Sequence, residues 1–319
     1  MSADPLLEVS DLTKHFPIKG GGVIHALNGV SLAQNKGETI GIVGESGCGK
    51  STLARVILRL IEPTAGRVKF EGQDLMTLSK PEMRAKRREI QMIFQDPFAS
   101  LDPRFTIGAA IEEPLIIHKL GDKKERQVKV HELLAMVGLG ADAASRYPHE
   151  FSGGQRQRIG IARALAVDPK LIIADEPVSA LDVSIQSQVL NLLVKLRERL
   201  GLSFLFISHD LAVVRYISDR IAVMYLGQIV EFGEADTIYR DAAHPYTEAL
   251  ISAVPEPTPG RRQQRIVLEG DVHDPETPPS GCPFHPRCPK AIAICQTEIP
   301  AKKSIGPDAS GHIVRCHLQ

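Results

Sequence analysis

The sequence predicts an α/β fold built around a buried parallel sheet, and two observations support that prediction. Short continuous apolar runs occur at Thr39–Val43, Leu171–Ala174 and Leu202–Ile207, and such runs are typical of strands buried on both faces. Helical periodicity follows the first two runs, in Leu53–Leu60 and in Val183–Leu200. Strands that alternate with helices favour a doubly wound sheet, whose ligand contacts lie at the carboxyl ends of its strands.

Composition narrows the classes of function. The chain has 319 residues, of which 43% are hydrophobic, and its 38 Lys and Arg balance its 38 Asp and Glu. With no overall basic field, we expect no nucleic-acid partner. No apolar run approaches the roughly 20 residues that span a bilayer, and the N-terminal residues lack the pattern of a signal peptide. We therefore expect a protein of the cytosol.

The segment between the first strand and its helix carries the strongest motif. Gly44–Thr52 reads GESGCGKST and fits the pattern G-x-x-x-x-G-K-[ST]. Glycines let successive backbone N–H groups point at a triphosphate, and the helix that begins there adds its positive dipole end. Lys50 would reach the β- and γ-phosphates and Ser51 would bind Mg²⁺.

Polar residues follow three of the predicted strands. Asp175 suits the Mg²⁺ position of a phosphate-loop ATPase, and the adjacent Glu176 can polarise an attacking water. Gln95, after Ile90–Phe94, would touch a metal or a water, or would be a solvated loop residue. His209 would bond the γ-phosphate or the water, or would be a capping or surface residue.

A second helix start also suits an anion. Phe151–Arg158 reads FSGGQRQR, so a serine and two glycines open a helix with backbone N–H groups and dipole available. One nucleotide needs only one phosphate loop. This second helix start would therefore bind either the same nucleotide as the phosphate loop or a nucleotide held by another copy of the chain. Near the N-terminus, Phe16 either stacks on adenine or packs in the fold.

The pattern divides the chain into two predicted domains. We predict a first domain over residues 1–255, with short N-terminal strands and an inserted helical lobe at about 96–158. Pro255–Gly260 with Arg261 and Arg262 reads as a linker. Residues 256–319 form a C-terminal extension rich in Pro and Cys, which we call the tail. It would need a cross-link, such as a disulfide or a bound metal, to be stable.

Taken together, these motifs resemble the ATP-binding subunit of an ABC transporter. The phosphate loop, Gln95, FSGGQ, LIIADE at 171–176, SALD at 179–182 and His209 occur in that family's order. Among ABC transporters, the sequence is most similar to the dipeptide and oligopeptide importers. These have a segment similar to QDPFASLDPR, an HPYTEAL helix and a cysteine-bearing tail. The resemblance implies a phosphate-loop NTPase (RecA-like) core with an N-terminal antiparallel β subdomain and an inserted helical subdomain.

The resemblance also implies a role for each motif residue. Glu176, His209 and Gln95 are the implied catalytic residues. Ser51, Gln95 and Asp175 are the implied Mg²⁺ ligands. The implied ATP contacts are Phe16, Gly44, Ser46, Gly47, Cys48, Gly49, Lys50, Ser51, Thr52, Gln95 and His209, together with Ser152, Gly153, Gly154 and Gln155 from the opposite subunit of a head-to-tail dimer.

Four cysteines crowd the tail, at Cys282, Cys288, Cys295 and Cys316. Zn²⁺ sites favour close C-x2–4-C pairs, which are absent here, whereas an iron–sulfur cluster tolerates irregular spacing. The tails of similar peptide importers imply a [4Fe-4S] cluster, with Zn²⁺ or uncoordinated thiols as the alternatives.

The resemblance implies further partners and a place of action. These are a second ATP-binding subunit, which is a paralogue or a second copy, two membrane permeases that dock on residues 96–114, and indirectly an extracytoplasmic peptide-binding protein. The chain would act at the cytoplasmic face of the inner membrane. Importers of nickel, glutathione or sugar-peptides, and soluble ABC ATPases outside transport, are the alternatives.

Overall fold

The computed structural model describes residues 4–18, 20–96, 101–254, 266–270, 274, 276–305 and 311–319. The described strands are β1 (Leu7–Pro17), β2 (Val23–Gln34), β3 (Thr39–Val43), β4 (Ala65–Phe70), β5 (Gln73–Asp74), β6 (Ile90–Ile93), β7 (Leu171–Asp175), β8 (Ser203–Ile207), β9 (Arg220–Tyr225), β10 (Gln228–Glu234), β11 (Lys303–Ile305) and β12 (His312–Val314). The described α-helices are α1 (Lys50–Ile57), α2 (Lys80–Lys86), α3 (Ile107–Ile117), α4 (Lys123–Met136), α5 (Gly153–Leu165), α6 (Val183–Leu200), α7 (Leu211–Ile217), α8 (Ala235–Arg240) and α9 (Pro245–Ser252).

The chain forms two compact units. The first comprises Met1–Asn35, Thr39–Met76 and Ser208–Gln319. In it, β1 pairs antiparallel with both β2 and β4, and β4 pairs with β5. Separately, β3 runs parallel to β9, β9 pairs antiparallel with β10, and the tail strands β12 and β11 continue from β10. All five residues of β3 are buried, as expected for a strand covered on both faces.

The second unit comprises Lys36–Glu38 and Thr77–Ile207. Its strands β6, β7 and β8 pair in parallel, and every residue of β7 and β8 is buried. The helices α3, α4 and α5 pack on one another, in the region where the sequence predicts a helical lobe. Lys119 and Gly121 break the helical pattern between α3 and α4 with φ angles of 54° and 64°, and Asp122 caps α4 through the N–H groups of Lys124 and Glu125.

Several elements match their predicted positions, and others do not. Helix α6 spans Val183–Leu200 as predicted, and its N-cap Asp182 makes no side-chain capping bond. The short helix α8 and the strands β11 and β12 were not expected from the pattern. The predicted linker and the boundary at residue 255 lie outside the described residues. In the part of the chain that the structure describes, we find no helix with the length and apolarity that a bilayer crossing requires.

Candidate functional site

The loop between β3 and α1 has a shape that depends on glycine. Gly44, Gly47 and Gly49 have φ angles of 156°, 81° and 106°, which residues with a side chain rarely adopt. A Cβ atom at Gly49 would collide with the carbonyl oxygen of Ala26. Gly49 is also the N-cap of α1, whose first turn contains no acidic residue. The loop therefore leads into a helix N-terminus whose dipole favours a bound anion.

Lys50 points into this loop. Its ammonium donates to the carbonyl oxygens of Gly44 at 2.7 Å and Glu45 at 2.9 Å, and the residue is 4% exposed. Because these partners are neutral, the ammonium brings a positive charge into a poorly solvated place, which strongly favours an anionic ligand.

The other predicted loop contacts have different surroundings. Ser46 and Gly47 are exposed, and Ser51 and Thr52 are partly exposed in the first turn of α1. The Cys48 side chain is buried 3.8 Å from the Lys50 ammonium, and burial raises the pKa of its thiol. Any contribution of Cys48 to phosphate binding would therefore come from its backbone.

His209 and Phe16 belong to the same compact unit as the phosphate loop. The N–H of Ser208 donates to the Ile42 carbonyl of β3 at 3.1 Å, which places the exposed His209 near the carboxyl end of that strand. Phe16 lies at the end of β1, and the Lys14 ammonium stands 4.7 Å from the centre of its ring. Stacking of Phe16 on adenine stays a prediction.

Gln95 and Glu176, in the second unit, are in direct contact. Gln95 Nε2 donates to Glu176 Oε2 at 3.0 Å. Gln95 follows β6 and Glu176 follows β7, and because these strands are parallel neighbours their carboxyl ends meet. The structure thus brings together two side chains that lie 81 positions apart in the sequence.

The backbone at Glu176 is strained. Its φ angle is 48°, a conformation that costs a non-glycine residue on the order of 1–3 kcal/mol. The Glu176 N–H donates to the Ile207 carbonyl at 2.9 Å, and the Ser179 hydroxyl donates to the Glu176 carbonyl at 3.1 Å. These bonds fix the backbone at Glu176, next to the buried Asp175 that ends β7.

The FSGGQ segment forms the first turn of α5. The Ser152 hydroxyl accepts from the Gln155 N–H at 3.3 Å, and Gln155 Oε1 accepts from the Ser152 N–H at 3.0 Å. In this capping box the side chain of each residue accepts a hydrogen bond from the backbone N–H of the other. A Cβ atom at Gly154 would collide with Ile185 of α6. Glycine therefore allows α6 to pack closely against the helix start, whose backbone N–H groups and dipole remain suited to an anion.

The four tail cysteines lie close enough together to affect one another's ionisation. Burial, with smaller effects from the other three thiols, raises the pKa of Cys282 to about 11. Burial also raises the pKa of Cys288 and Cys316. Among the described residues, however, no group of three or more His, Cys, Asp or Glu side chains is arranged to hold a metal ion. The described arrangement therefore does not support the predicted cluster or a Zn²⁺ site.

Glu45, Tyr246 and Arg287 are connected by hydrogen bonds at the phosphate loop, although no sequence motif predicts a role for them there. Glu45 occupies a variable position of the phosphate-loop motif, yet both other residues bond to it. The HPYTEAL segment indicated the helix that contains Tyr246, but nothing in the local sequence indicates a role for Arg287.

Comparisons with known proteins agree with this geometry. A model of the ABC transporter family matches residues 27–179, and a model of the oligopeptide/dipeptide transporter C-terminal region matches residues 230–295. The oligopeptide transport ATP-binding protein AppF of Bacillus subtilis is 54% identical over an alignment 324 residues long, which covers 99% of this chain and 98% of that protein.

Solved structures show the same fold. The dimeric ATP-binding cassette MJ0796, in a post-hydrolysis state bound to ADP and Pi, is 34% identical with a TM-score of 0.66 and covers 72% of this chain and 98% of its own. The structure of cbiO1 from Clostridium perfringens, part of the ABC transporter complex cbiONQ, is 27% identical with a TM-score of 0.67 and covers 75% of this chain and 92% of its own.

The fold and the phosphate loop thus define an ATP-binding cassette ATPase. Within that class, the chain belongs to the ATP-binding subunits of oligopeptide and dipeptide ABC transporters. Both the predicted fold class and the predicted family are confirmed.

Proposed function

We propose that this chain hydrolyses ATP at its phosphate loop and thereby energises the import of peptides. The observation that supports this most directly is the Gln95–Glu176 contact at the carboxyl ends of parallel strands, in a chain that also builds a glycine-shaped phosphate loop. The relatives' role in oligopeptide transport supports the substrate class.

The residues fit a nucleotide and its metal ion. The buried Lys50 ammonium and the N-terminus of α1 would hold the phosphates, and Ser51, Gln95 and Asp175 would hold Mg²⁺. A bound Mg²⁺ would neutralise charge on the phosphate oxygens. Hydroxyl, amide and carboxylate oxygens are the hard ligands that Mg²⁺ prefers.

Glu176 is suited to act as the general base. Its carboxylate would accept a proton from the attacking water, while the Gln95 amide, 3.0 Å away, would fix its orientation. The hydrogen-bonded backbone at Glu176 limits the conformational freedom of that residue before the reaction. This reduces the reorganisation that the residue must undergo to reach the reactive geometry. His209, exposed at the end of β8, would bond the γ-phosphate or the water.

The test is Glu176→Gln in the assembled transporter, with Glu198→Gln as the matched control, because Glu198 is exposed on α6. We expect Glu176→Gln to lower kcat for ATP hydrolysis by about 100-fold or more, since general-base catalysis contributes roughly 10²–10⁴-fold. Glu198→Gln should hydrolyse ATP normally. Unchanged hydrolysis in Glu176→Gln would refute the assignment of the base.

We also propose that two ATP-binding subunits close head to tail around the nucleotide. The Ser152–Gln155 turn of one subunit would bind the γ-phosphate held by the phosphate loop of the other, so ATP would bind the subunits together and its hydrolysis would release them. The dimeric state of the solved cassette supports this arrangement. The second subunit is a paralogue or another copy of this chain.

A groove in the second unit is suited to a membrane partner. It has a volume of about 810 Å³ and is lined in part by Phe105, Ile116 and Ile117, which are 51%, 53% and 43% exposed. Charged residues, including Arg104 and Glu112, also line it. Exposed apolar surface combined with polar groups is typical of a protein-binding site. We infer that it receives a short cytoplasmic helix of a permease, so that the chain acts at the cytoplasmic face of the membrane.

The groove can be tested with Phe105→Asp, using Val128→Asp as the control. Val128 is 58% exposed on α4 and does not line the groove. Phe105→Asp should abolish co-purification with the two permeases from detergent-solubilised membranes, whereas Val128→Asp should not. If both variants retain the permeases equally, the groove is not the docking site.

Substrate class requires a transport assay. Cells carrying Glu176→Gln should lose uptake of a radiolabelled tripeptide but retain uptake of Ni²⁺ and glutathione, and uptake should also require a secreted peptide-binding protein. Loss of Ni²⁺ or glutathione uptake instead would identify one of the alternative importers.

The [4Fe-4S] cluster in the tail stays a prediction that the described arrangement does not support. Anaerobically purified protein with stoichiometric iron and broad absorption near 400 nm would establish it, and bound zinc without iron would exclude it.

A further inference from the structure

The C-terminal tail makes a direct ionic contact with the phosphate loop. Arg287 Nη1 donates to Glu45 Oε2 at 2.7 Å, and Arg287 Nη2 donates to Glu45 Oε1 at 3.1 Å. The Arg287 side chain is 7% exposed and that of Glu45 is 30% exposed. Two parallel charge-assisted bonds in a poorly solvated place fix both distance and orientation. Residues 242 positions apart are thereby held in one geometry.

Glu45 connects Arg287 to Lys50 through hydrogen bonds. The backbone N–H of Glu45 donates to the Tyr246 hydroxyl at 2.9 Å, and its carbonyl accepts from the Lys50 ammonium at 2.9 Å. Its carboxylate, amide and carbonyl therefore all have defined partners. A displacement of the Glu45 side chain would move the carbonyl that orients the lysine.

A rigid aromatic cluster supports Arg287 from the tail side. Phe284 is 1% exposed, and its ring centre lies 5.2 Å from that of Tyr225 and 5.4 Å from that of Tyr246. Such edge and tilted contacts stabilise a fixed arrangement beyond simple burial. The segment that precedes Arg287 is thus anchored independently of the ion pair.

We propose that Arg287 is a positioning residue for nucleotide binding, which acts through Glu45 on Lys50 and the first part of the phosphate loop. The C-terminal region would in this way set the affinity for the nucleotide triphosphate. This inference depends on the proposed function, in which Lys50 binds the phosphates.

The test compares Arg287→Met with Lys290→Met. Lys290 lies in the same tail segment and also pairs with a carboxylate of the first unit, Glu248, at 2.6 Å, but Glu248 is on α9 rather than in the phosphate loop. Methionine keeps the apolar stem of either side chain. The purified subunit is titrated with a fluorescent ATP analogue, and KM and kcat are measured in the assembled transporter.

We expect Arg287→Met to weaken nucleotide binding and raise KM by about 10-fold, with kcat at saturation within about 2-fold, because a buried charge pair is lost. Lys290→Met should bind nucleotide normally, and Arg287→Lys should be intermediate. Glu45→Gln should weaken binding similarly, and adding Arg287→Met to it should have little further effect.

Two results would overturn the inference. One is normal nucleotide affinity in a folded Arg287→Met protein. The other is a double variant in which the two effects multiply, which would show that Arg287 does not act through Glu45. Thermal unfolding without nucleotide shows whether the loss of affinity in Arg287→Met arises from misfolding alone. If it does, Arg287→Lys decides the question: restored affinity supports the inference, and unrestored affinity in a folded Arg287→Lys protein contradicts it. Lys50→Ala provides the separate check, because unchanged binding in that variant would refute the proposed function itself.

Discussion

His244 is a buried histidine that the fold keeps neutral. It is 1% exposed, and its Nδ1 accepts from the N–H of Tyr246 at 3.1 Å, which caps α9. Burial lowers the pKa of His244 to about 4, with the Glu231 carboxylate acting in the opposite direction. Protonation would remove the capping acceptor and place a charge in the core.

The pH dependence of stability follows from that pKa. Since the folded pKa is below the ordinary value of about 6.5, the stability contribution is fully present above pH 6.5 and is lost as the pH falls toward 4. We expect the free energy of unfolding to fall by about 2 kcal/mol from this group between pH 7.5 and pH 5. Urea unfolding of His244→Asn, which keeps a capping acceptor, should lack this component, and an identical pH dependence would contradict the argument.

Gln95 offers a second prediction at this scale. Gln95→Ala removes the amide that orients Glu176, so we expect kcat for ATP hydrolysis to fall by about 10-fold or more with little change in stability. Gln91, on β6, bonds instead to the Arg87 carbonyl. Gln91→Ala should therefore lower the unfolding midpoint without a comparable loss of kcat. The reverse pattern would contradict the role of Gln95.

At the scale of elements, the start of α5 has a structural role in the fold and a proposed role in binding the nucleotide. Ser152 caps the helix through the Gln155 N–H, and Gly154 allows α6 to approach. A capping carboxylate would serve the helix equally well, but it would place a negative charge where the proposed γ-phosphate binds. The two roles can therefore be separated by one substitution.

Ser152→Asp should leave the free energy of unfolding within about 0.5 kcal/mol of the parent value. It should abolish the ATP-dependent dimer that sedimentation detects in the Glu176→Gln background with its natural partner. Thr106, which caps α3 through the Ala109 N–H, gives the control, because Thr106→Asp should change neither property. Dimerisation of Ser152→Asp at normal ATP concentrations would argue against a phosphate at α5.

At the scale of the whole molecule, the tail is an integral part of the first unit. Strand β12 pairs with β10, and Val314 is fully buried. His312 Nε2 lies 2.8 Å from Oε1 of the fully buried Glu231. The described tail residues pack on the rest of the unit, which gives the tail core contacts that its proline-rich sequence does not predict. These contacts contribute to the stability of the first unit.

Truncation tests that conclusion. A chain that ends at Val254 would expose the Phe284 site on Tyr225 and Tyr246 and remove a partner of the buried Glu231 carboxylate. Losing one partner of a buried charge costs about 3–5 kcal/mol, so we expect the unfolding midpoint to fall by about 10 °C. In the full-length protein, iron and zinc chelators should lower the midpoint much less. Equal effects of chelation and truncation would show that a metal holds the tail.

Much of the fold could be predicted from local pattern. The ends of α6 follow from helical periodicity and the position of β7 follows from a continuous apolar run, both of which local sequence expresses directly. Helix α8 and strands β11 and β12 could not be predicted, because they are only three to six residues long, too short to show a period. The strain at Glu176 also has no sequence signature, since its φ angle depends on bonds to Ile207 and Ser179.

The class of ATPase and its motif residues could be predicted from the sequence alone, because a phosphate loop and a helix cap are built from a few adjacent residues of fixed type. The contacts of Gln95 with Glu176 and of Arg287 with Glu45 are visible only in the folded chain. Contacts between such distant positions depend on how strands and loops pack, and the energy of that packing is not expressed in any local pattern.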